Sequence, residues 1–278
     1  RSKKIEGPYE EKKQLSHAQK KHHEPNQGGI VQTEKGDWYF LTHHGSGGDW
    51  SGRNMSLLPV NWVNGWPILG EVGPDTVGLM VWSGKKPVKT KKIVTPQTND
   101  EFKTTSLPVQ WEWNYQPRAD KWSLTQRSGW LRLHAFKPLD TDNLLKAGNT
   151  LTQRSMRTNA NEAIIKLDLS GMADGQKAGL CHFGSPNYSS LGIACTDTTR
   201  TLEFKVKDKI EPGPVITGSN LWIKSTWGLD GLSQYAYSLD GVHYTPFGSA
   251  YQLMWGSYRG DRIGIFSYNN KADAGYID

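Results

Sequence analysis

Cysteine is nearly absent: Cys181 and Cys195 are the only two in 278 residues. Two thiols cannot build a disulfide framework, and no histidine stands at zinc-ligand spacing from them. A single bridge and two buried free thiols both remain open. No run approaches the ~20 consecutive apolar residues of a membrane-spanning helix. The opening "RSKKIEGPYEEKK" has no apolar core of the kind a secretory signal needs. Helical periodicity is scarce, with one short stretch, Asp142 to Leu145, reading as helix. No solenoid period recurs. Arginine interleaved with aromatics on one element is missing too. The net charge of +6 sits mostly in the lysine runs "RSKKIEGPYEEKKQLSHAQKKHH" and "GKKPVKTKK". Those runs are loop-like and solvated, which argues against a nucleic-acid partner.

Aromatics and glycine are abundant: 12 Trp, 11 Tyr and 30 Gly. Tryptophan and tyrosine join a flat apolar face to a polar edge, suiting core packing and pyranose stacking alike. Glycine at this density favours turns and bulges over long helices. The chain accordingly reads as all-β. "GGIVQT" and "DWYFLT" form a hairpin around the Gly36-Asp37 turn, followed by strands at "LPVNW" and "VGLMVW". The segment "SGKKPVKTKKIVTPQTNDEFKTTS" is charged and polar and reads as a crossing between domains.

From Leu107 short strands return. Alternation in "PVQWEWNY" places Val109, Trp111, Trp113 and Tyr115 on one face. "GWLRLHAF", "AIIKLDLS", "LEFKVK", "LWIKS", "QYAYSLDGVHYTPF" and "DRIGIFSY" continue at short spacing. Asp240-Gly241 signals a two-residue hairpin. Many short strands with turns between them predict a β-sandwich. The expected division is residues 1–88, a linker at 89–106, and a sandwich at 107–278.

Three motifs occur in order: "EGPYE", "NQGGIVQTEKGDWYF" and "GRNMSLLPVNWVNGWPILG". Together they resemble the late blades of the five-bladed β-propeller of glycoside hydrolase family 43. The region with "VQWEWNYQPRADKWSL", "GWLRLHA", "AGNTLTQR", "YSLDGVHY" and "RIGIFSYN" resembles that family's C-terminal concanavalin-like jelly roll. The resemblance implies a partial β-propeller followed by a β-sandwich. It also implies a chain that is an excerpt, with about three further blades expected before "GPYE" and one more strand after "GYID". Residues 1–88 would then be the C-terminal blades, partnered by the remaining blades of the same enzyme.

The implied activity is that of an inverting exo-glycosidase on xylan or arabinoxylan, a β-xylosidase or α-L-arabinofuranosidase, with an oligo- or polysaccharide as substrate. An extracellular or periplasmic location goes with it, and a membrane or nucleic acid does not. Inversion needs an acid and a base on opposite faces of the sugar. The family's Asp, Asp and Glu are expected upstream of Arg1, so no catalytic residue is assigned here. Glu10 belongs to a structural turn motif and Asp37 to its own turn, while Glu24 and Asp49 are weak cleft candidates. Arg53 carries the strongest implication: the arginine of this Gly-Arg pair would hydrogen-bond the terminal sugar, its planar fork matching adjacent hydroxyls. Gln27, beside Asn26, stands where many relatives carry a histidine facing a channel ion, which leaves a calcium ion in the propeller channel in question, with His22 and His23 slightly upstream. Gly28 and Gly29 would let the backbone approach the axis. His43, with its neighbour His44, and Trp50 complete the expected substrate contacts. The competing reading is a non-catalytic carbohydrate-binding protein that uses the sandwich.

Overall fold

The computed structural model describes residues 1–16, 23–45, 49–81, 83–90, 92 and 99–278, with side chains of 23, 24 and 26 excluded. The chain divides into two compact units. The first comprises Arg1–Gly48 and Arg53–Val94, and the second comprises Asp49–Gly52 and Thr95–Asp278.

The first unit is built on an antiparallel meander. Strands β1 (His23–Gln32), β2 (Trp38–Gly45), β3 (Asn54–Val63) and β4 (Trp66–Leu69) lie side by side in chain order. The expected hairpin forms around Gly36, with Val31 opposite Tyr39 and Ile30 opposite Phe40. "VGLMVW" contributes less than expected: β5 (Glu71–Val72) pairs only with the two-residue β6 (Gly78–Leu79). Leu15, Leu58, Val60 and Leu69 form the unit's core, with Trp38 and Phe40 against it. On the opposite face of the meander Val31, Leu41, Met55 and Leu57 remain exposed. Apolar residues on both faces are what a sheet stacked in a series of sheets carries.

The second unit contains β7 (Glu112–Asn114), β8 (Trp122–Ser123), β9 (Arg132–His134), β10 (Thr150–Arg154) and β11 (Asn161–Asp168). It continues with β12 (Gln176–Gly184), β13 (Asn187–Thr196), β14 (Thr199–Val206), β15 (Lys209–Val215) and β16 (Asn220–Trp227). The last strands are β17 (Leu232–Ser238), β18 (Thr245–Pro246), β19 (Tyr251–Gln252), β20 (Arg262–Asn269) and β21 (Tyr276–Ile277). One large sheet runs β15-β14-β13-β12-β20-β10-β7, the second β11-β16-β17-β18 with β19 beside β17, and a short third sheet β21-β9-β8, all antiparallel. Alternation drives the packing: on β16, Leu221, Ile223, Ser225 and Trp227 are buried while the residues between them are not. Leu221 and Ile223 join Leu180, Leu191, Leu202 and Tyr235 in one core, while Trp227 belongs to a second cluster. Each fully buried leucine there contributes about 1.5–3 kcal/mol.

Four expectations are corrected. Of the predicted linker 89–106, the last part packs within the sandwich unit. Trp111 Nε1 donates to Asp100 Oδ2 at 2.7 Å, and Phe102 stacks on Trp111 with centroids 5.8 Å apart. The strand through Val109 is cut short because the Trp111 amide closes a turn on the Pro108 carbonyl, leaving Val109 100% exposed. Tyr115 ends it at a left-handed φ of 55°. The Asp240-Gly241 hairpin is wider than two residues, since β17 ends at Ser238 and β18 starts at Thr245. Asp240 Oδ1 accepts from the Val242 and His243 amides, both at 2.8 Å, so a carboxylate organises this turn. The predicted helix at Asp142 is one 3-10 turn, Leu144–Lys146. Both cysteines are buried and free.

Candidate functional site

In the first unit Gln27 and His43 lie within hydrogen-bonding distance of one another. Asn26 pairs with His43 and Gly28 with Thr42, so Gln27 is an extra residue in β1, a bulge with φ 45°. Bulges bend a strand and re-aim its side chains, and they concentrate beside functional sites. The buried Thr42 holds this one by donating its hydroxyl to the Gln27 carbonyl at 2.7 Å. The bulge turns the Gln27 amide to His43, whose Nε2–H donates to Oε1 at 3.3 Å. His43 faces Met55 on β3, and half-buried Arg53 immediately precedes β3. Gln27 thus lies within β1, His43 two residues before the end of β2, and Arg53 immediately before β3. His44 points to the other face, where Nδ1 lies 2.6 Å from the Ser56 hydroxyl.

The Gln27 amide oxygen is engaged by His43. No group of three or more His, Cys, Asp or Glu among the described residues is placed to hold a metal ion. His22 lies outside the described residues, as do the side chains of His23, Glu24 and Asn26.

Trp50 is a correction. A sugar platform needs an open ring face, and Trp50 is 4% exposed, packed with Trp227, Tyr251 and Leu253 of the second unit. Its Nε1–H donates to the Leu229 carbonyl at 3.2 Å. Asp49 is also structural, paired with Arg157 at 2.7 Å. Gly28 is required by the facing strand, since a Cβ there would stand 2.4 Å from the Leu41 oxygen, whereas a Cβ on Gly29 meets nothing within 4 Å.

Sequence reasoning missed a Ser–His–Asp chain in the second unit. His182 lies between Ser225 Oγ, 2.9 Å from Nε2, and Asp261 Oδ1, 2.8 Å from Nδ1. Ser155 adds its hydroxyl to the same carboxylate oxygen. This is the order of groups that activates a nucleophilic serine. Ser225 and His182 are 0% exposed and Asp261 1%, so no substrate reaches them and the chain serves as a polar link between the two sheets. The three residues stand far apart in sequence, and only strand pairing brings them together.

The second unit also holds a cavity of about 500 Å³ that Trp111, Trp130 and Trp227 help line. Its rings are already engaged: Trp111 stacks on Phe102, and the Arg127 guanidinium lies 4.1 Å from the Trp130 ring centre.

With this geometry in view, the pattern described as the β-xylosidase C-terminal concanavalin A-like domain of glycoside hydrolase family 43 matches residues 99–278. The chain belongs to that family. The fold is all-β, blade sheets of a propeller followed by the concanavalin-like sandwich. Among relatives of the family 43 chain, a β-xylosidase of Formosa agariphila is 35% identical over 99% of this chain and 50% of its own length. A xylan 1,3-β-xylosidase of a Vibrio species is 25% identical, covering 90% of this chain and 51% of its own. The chain spans about half the length of the curated relatives it matches. One solved structure is an engineered family 43 glycoside hydrolase that displays both endo-xylanase and exo-arabinofuranosidase activity. It is 25% identical with a TM-score of 0.76, covering 95% of this chain and 54% of its own. A xylan β-1,4-xylosidase of Bacillus halodurans shares the fold, with a TM-score of 0.81 at 18% identity, covering 100% of this chain and 57% of its own.

Proposed function

We propose that this chain is part of an inverting exo-glycoside hydrolase acting on xylan or arabinoxylan, a β-xylosidase or α-L-arabinofuranosidase. The acid and base are supplied by the part of the enzyme that the relatives have and this chain does not span. The match of 99–278 to a β-xylosidase domain carries the reading. In it Arg53 binds the terminal sugar: a guanidinium offers a planar fork of donors and no acceptor, suited to adjacent hydroxyls. Gln27 and His43, joined by their hydrogen bond, present an amide and an imidazole side by side. The carbohydrate-binding alternative is less well supported, because the rings lining the sandwich cavity are already stacked or covered by cations.

The test is Arg53→Ala and Arg53→Lys in the enzyme that contains this chain. A lost charged hydrogen bond is worth about 1.5–3 kcal/mol, roughly ten- to a hundredfold in kcat/KM if it acts in the transition state. Both variants are expected to lose that much on aryl xylosides or arabinofuranosides while their melting temperatures hold, since one ammonium does not reproduce the fork. Unchanged kcat/KM with a large melting loss would return Arg53 to a bracing role.

A further inference from the structure

We propose that a groove of the sandwich, between the β14–β15 hairpin and the chain at Tyr251, is a saccharide-binding site that holds a neutral xylan chain without cleaving it. The proposal adds a non-catalytic contact to the hydrolase reading and rests on that reading for the identity of the polymer.

The groove has a volume of about 550 Å³, inside the ~300–1,000 Å³ of small-ligand sites. Its floor is apolar: Phe204 and Val206 of β14 line it, with Tyr251 beside them. Phe204 belongs to the core between the sheets, and Val206 packs against that core. The walls are polar. β15 pairs with β14 so that Glu211 stands opposite Phe204 and Lys209 opposite Val206. Directly opposed residues share a sheet face. Lys209 and Glu211 therefore rise on the core side of the sheet, yet both stay exposed. Neither is in an ion pair among the described residues. Asn187, at the start of β13, lines the same groove, and its Oδ1 is buried with no hydrogen-bond partner among the described residues.

Charge on the inner face of an edge strand has a plainer use, because it hinders pairing with another sheet. β15 is an edge strand. That edge is already blunted by Pro212 and Pro214, which have no N–H to donate. Edge protection also leaves the Asn187 oxygen unexplained, and folded proteins keep few buried acceptors unpaired. The chemistry of the walls selects the ligand. Lysine only donates, whereas a carboxylate and an amide oxygen only accept. A phosphate or carboxylate in the groove would be repelled by Glu211 and by the Asn187 oxygen. An apolar molecule would leave all three groups unpaired. A hydroxyl both donates and accepts. A xylose ring carries hydroxyls around its rim, C–H groups on its faces and no charge, which suits an apolar floor between a donor and two acceptors.

The experiment measures retention on insoluble xylan beside aryl-glycoside hydrolysis, in the enzyme that contains this chain. Lys209→Ala and Glu211→Ala are each expected to weaken retention about ten- to a hundredfold, and Asn187→Ala roughly two- to tenfold. Their kcat/KM on an aryl xyloside and an aryl arabinofuranoside should match the parent, because a one-sugar substrate needs only the site that cleaves it. Melting temperatures of Lys209→Ala and Glu211→Ala should hold, since both side chains are exposed. Polygalacturonate, which is anionic, should not retain the parent. A parent that xylan does not retain, or variants retained as well as the parent, would overturn the groove and leave the hydrolase reading standing. Aggregation of the variants with full retention would return Lys209 and Glu211 to edge protection. Equal retention on polygalacturonate and xylan would overturn the neutral ligand. A parent that hydrolyses neither aryl glycoside would overturn the hydrolase reading, and xylan as the ligand with it.

Discussion

Asp142 shows how much one carboxylate organises. Its Oδ2 lies 2.6 Å from Lys205 Nζ and its Oδ1 2.9 Å from Lys177 Nζ, and the Tyr268 hydroxyl donates to it at 3.0 Å. Burial raises its pKa, but the bonds from Lys205 and Lys177 outweigh burial and hold it at about 2, against an ordinary 3.8. A depressed carboxylate contributes stability above its unfolded pKa and loses it as pH falls through the folded one. The contribution of Asp142 should therefore disappear between about pH 4 and pH 2. Asp142→Asn keeps a residue that tolerates the left-handed φ of 58°. Urea titrations should show it destabilised at pH 6 and converging on the parent near pH 2; a gap independent of pH would sink the assignment. His182 is a second case. Removing its imidazole leaves Asp261, 1% exposed, without its main partner. Breaking a buried pair costs about 3–5 kcal/mol, so His182→Ala should melt far earlier. Where the folded enzyme can be assayed, its kcat should be unchanged, because the Ser225–His182–Asp261 chain meets no substrate.

Among elements, the first hairpin makes a sharp prediction at adjoining glycines. A Cβ on Gly28 would press on the Leu41 oxygen and, at 2.6 Å, on the Phe40 ring, whereas Gly29 faces open space. Gly28→Ala should destabilise the meander by about 1–3 kcal/mol, the range for overpacking, and Gly29→Ala should be near neutral. Equal melting temperatures for the two would count against this register. That contrast marks the limit of what the sequence shows. "GGIVQT" and "DWYFLT" declare a hairpin, yet which glycine is needed depends on a bulge at Gln27 that local pattern does not display. The alternation on β16 was legible because each inward residue meets the opposite sheet. In "PVQWEWNY" the same alternation misleads, since the turn from Pro108 to Trp111 ends the pattern before Val109 joins it. Asp240-Gly241 misleads for another reason: the Asp240 side chain replaces backbone pairing and widens the turn. The Gln27–His43 pair could be anticipated only through family likeness, and the burial of Trp50 not at all. A tryptophan beside a Gly-Arg pair looks alike in sequence whether it faces a sugar or a core.

For the whole molecule, the consequence is that the sandwich is not a contiguous piece of chain. The family match begins at residue 99 and the second compact unit resumes at Thr95, yet that unit also includes Asp49–Gly52. A protein cut to residues 95–278 keeps both sheets and the main core, but it lacks the indole that fills the cluster of Trp227, Tyr251 and Leu253. Emptying a buried tryptophan site costs about 3–5 kcal/mol, a large share of the ~5–15 kcal/mol that stabilises a domain. The shortened piece should therefore fold but melt well below the sandwich of the full chain. Its loss should be concentrated around Leu253, whose amide bonds the Gly231 carbonyl at 2.8 Å beneath Trp50. Hydrogen exchange would show this as early loss of protection at Leu253 and Gly231, with β12 and β20 still protected. Trp50→Ala in the full chain should reproduce the same local pattern, because it empties the same space without removing the rest of the chain. If the 95–278 piece instead keeps full protection at Leu253, the cluster closes without Trp50, and the sandwich is as independent as its strand pattern alone suggests.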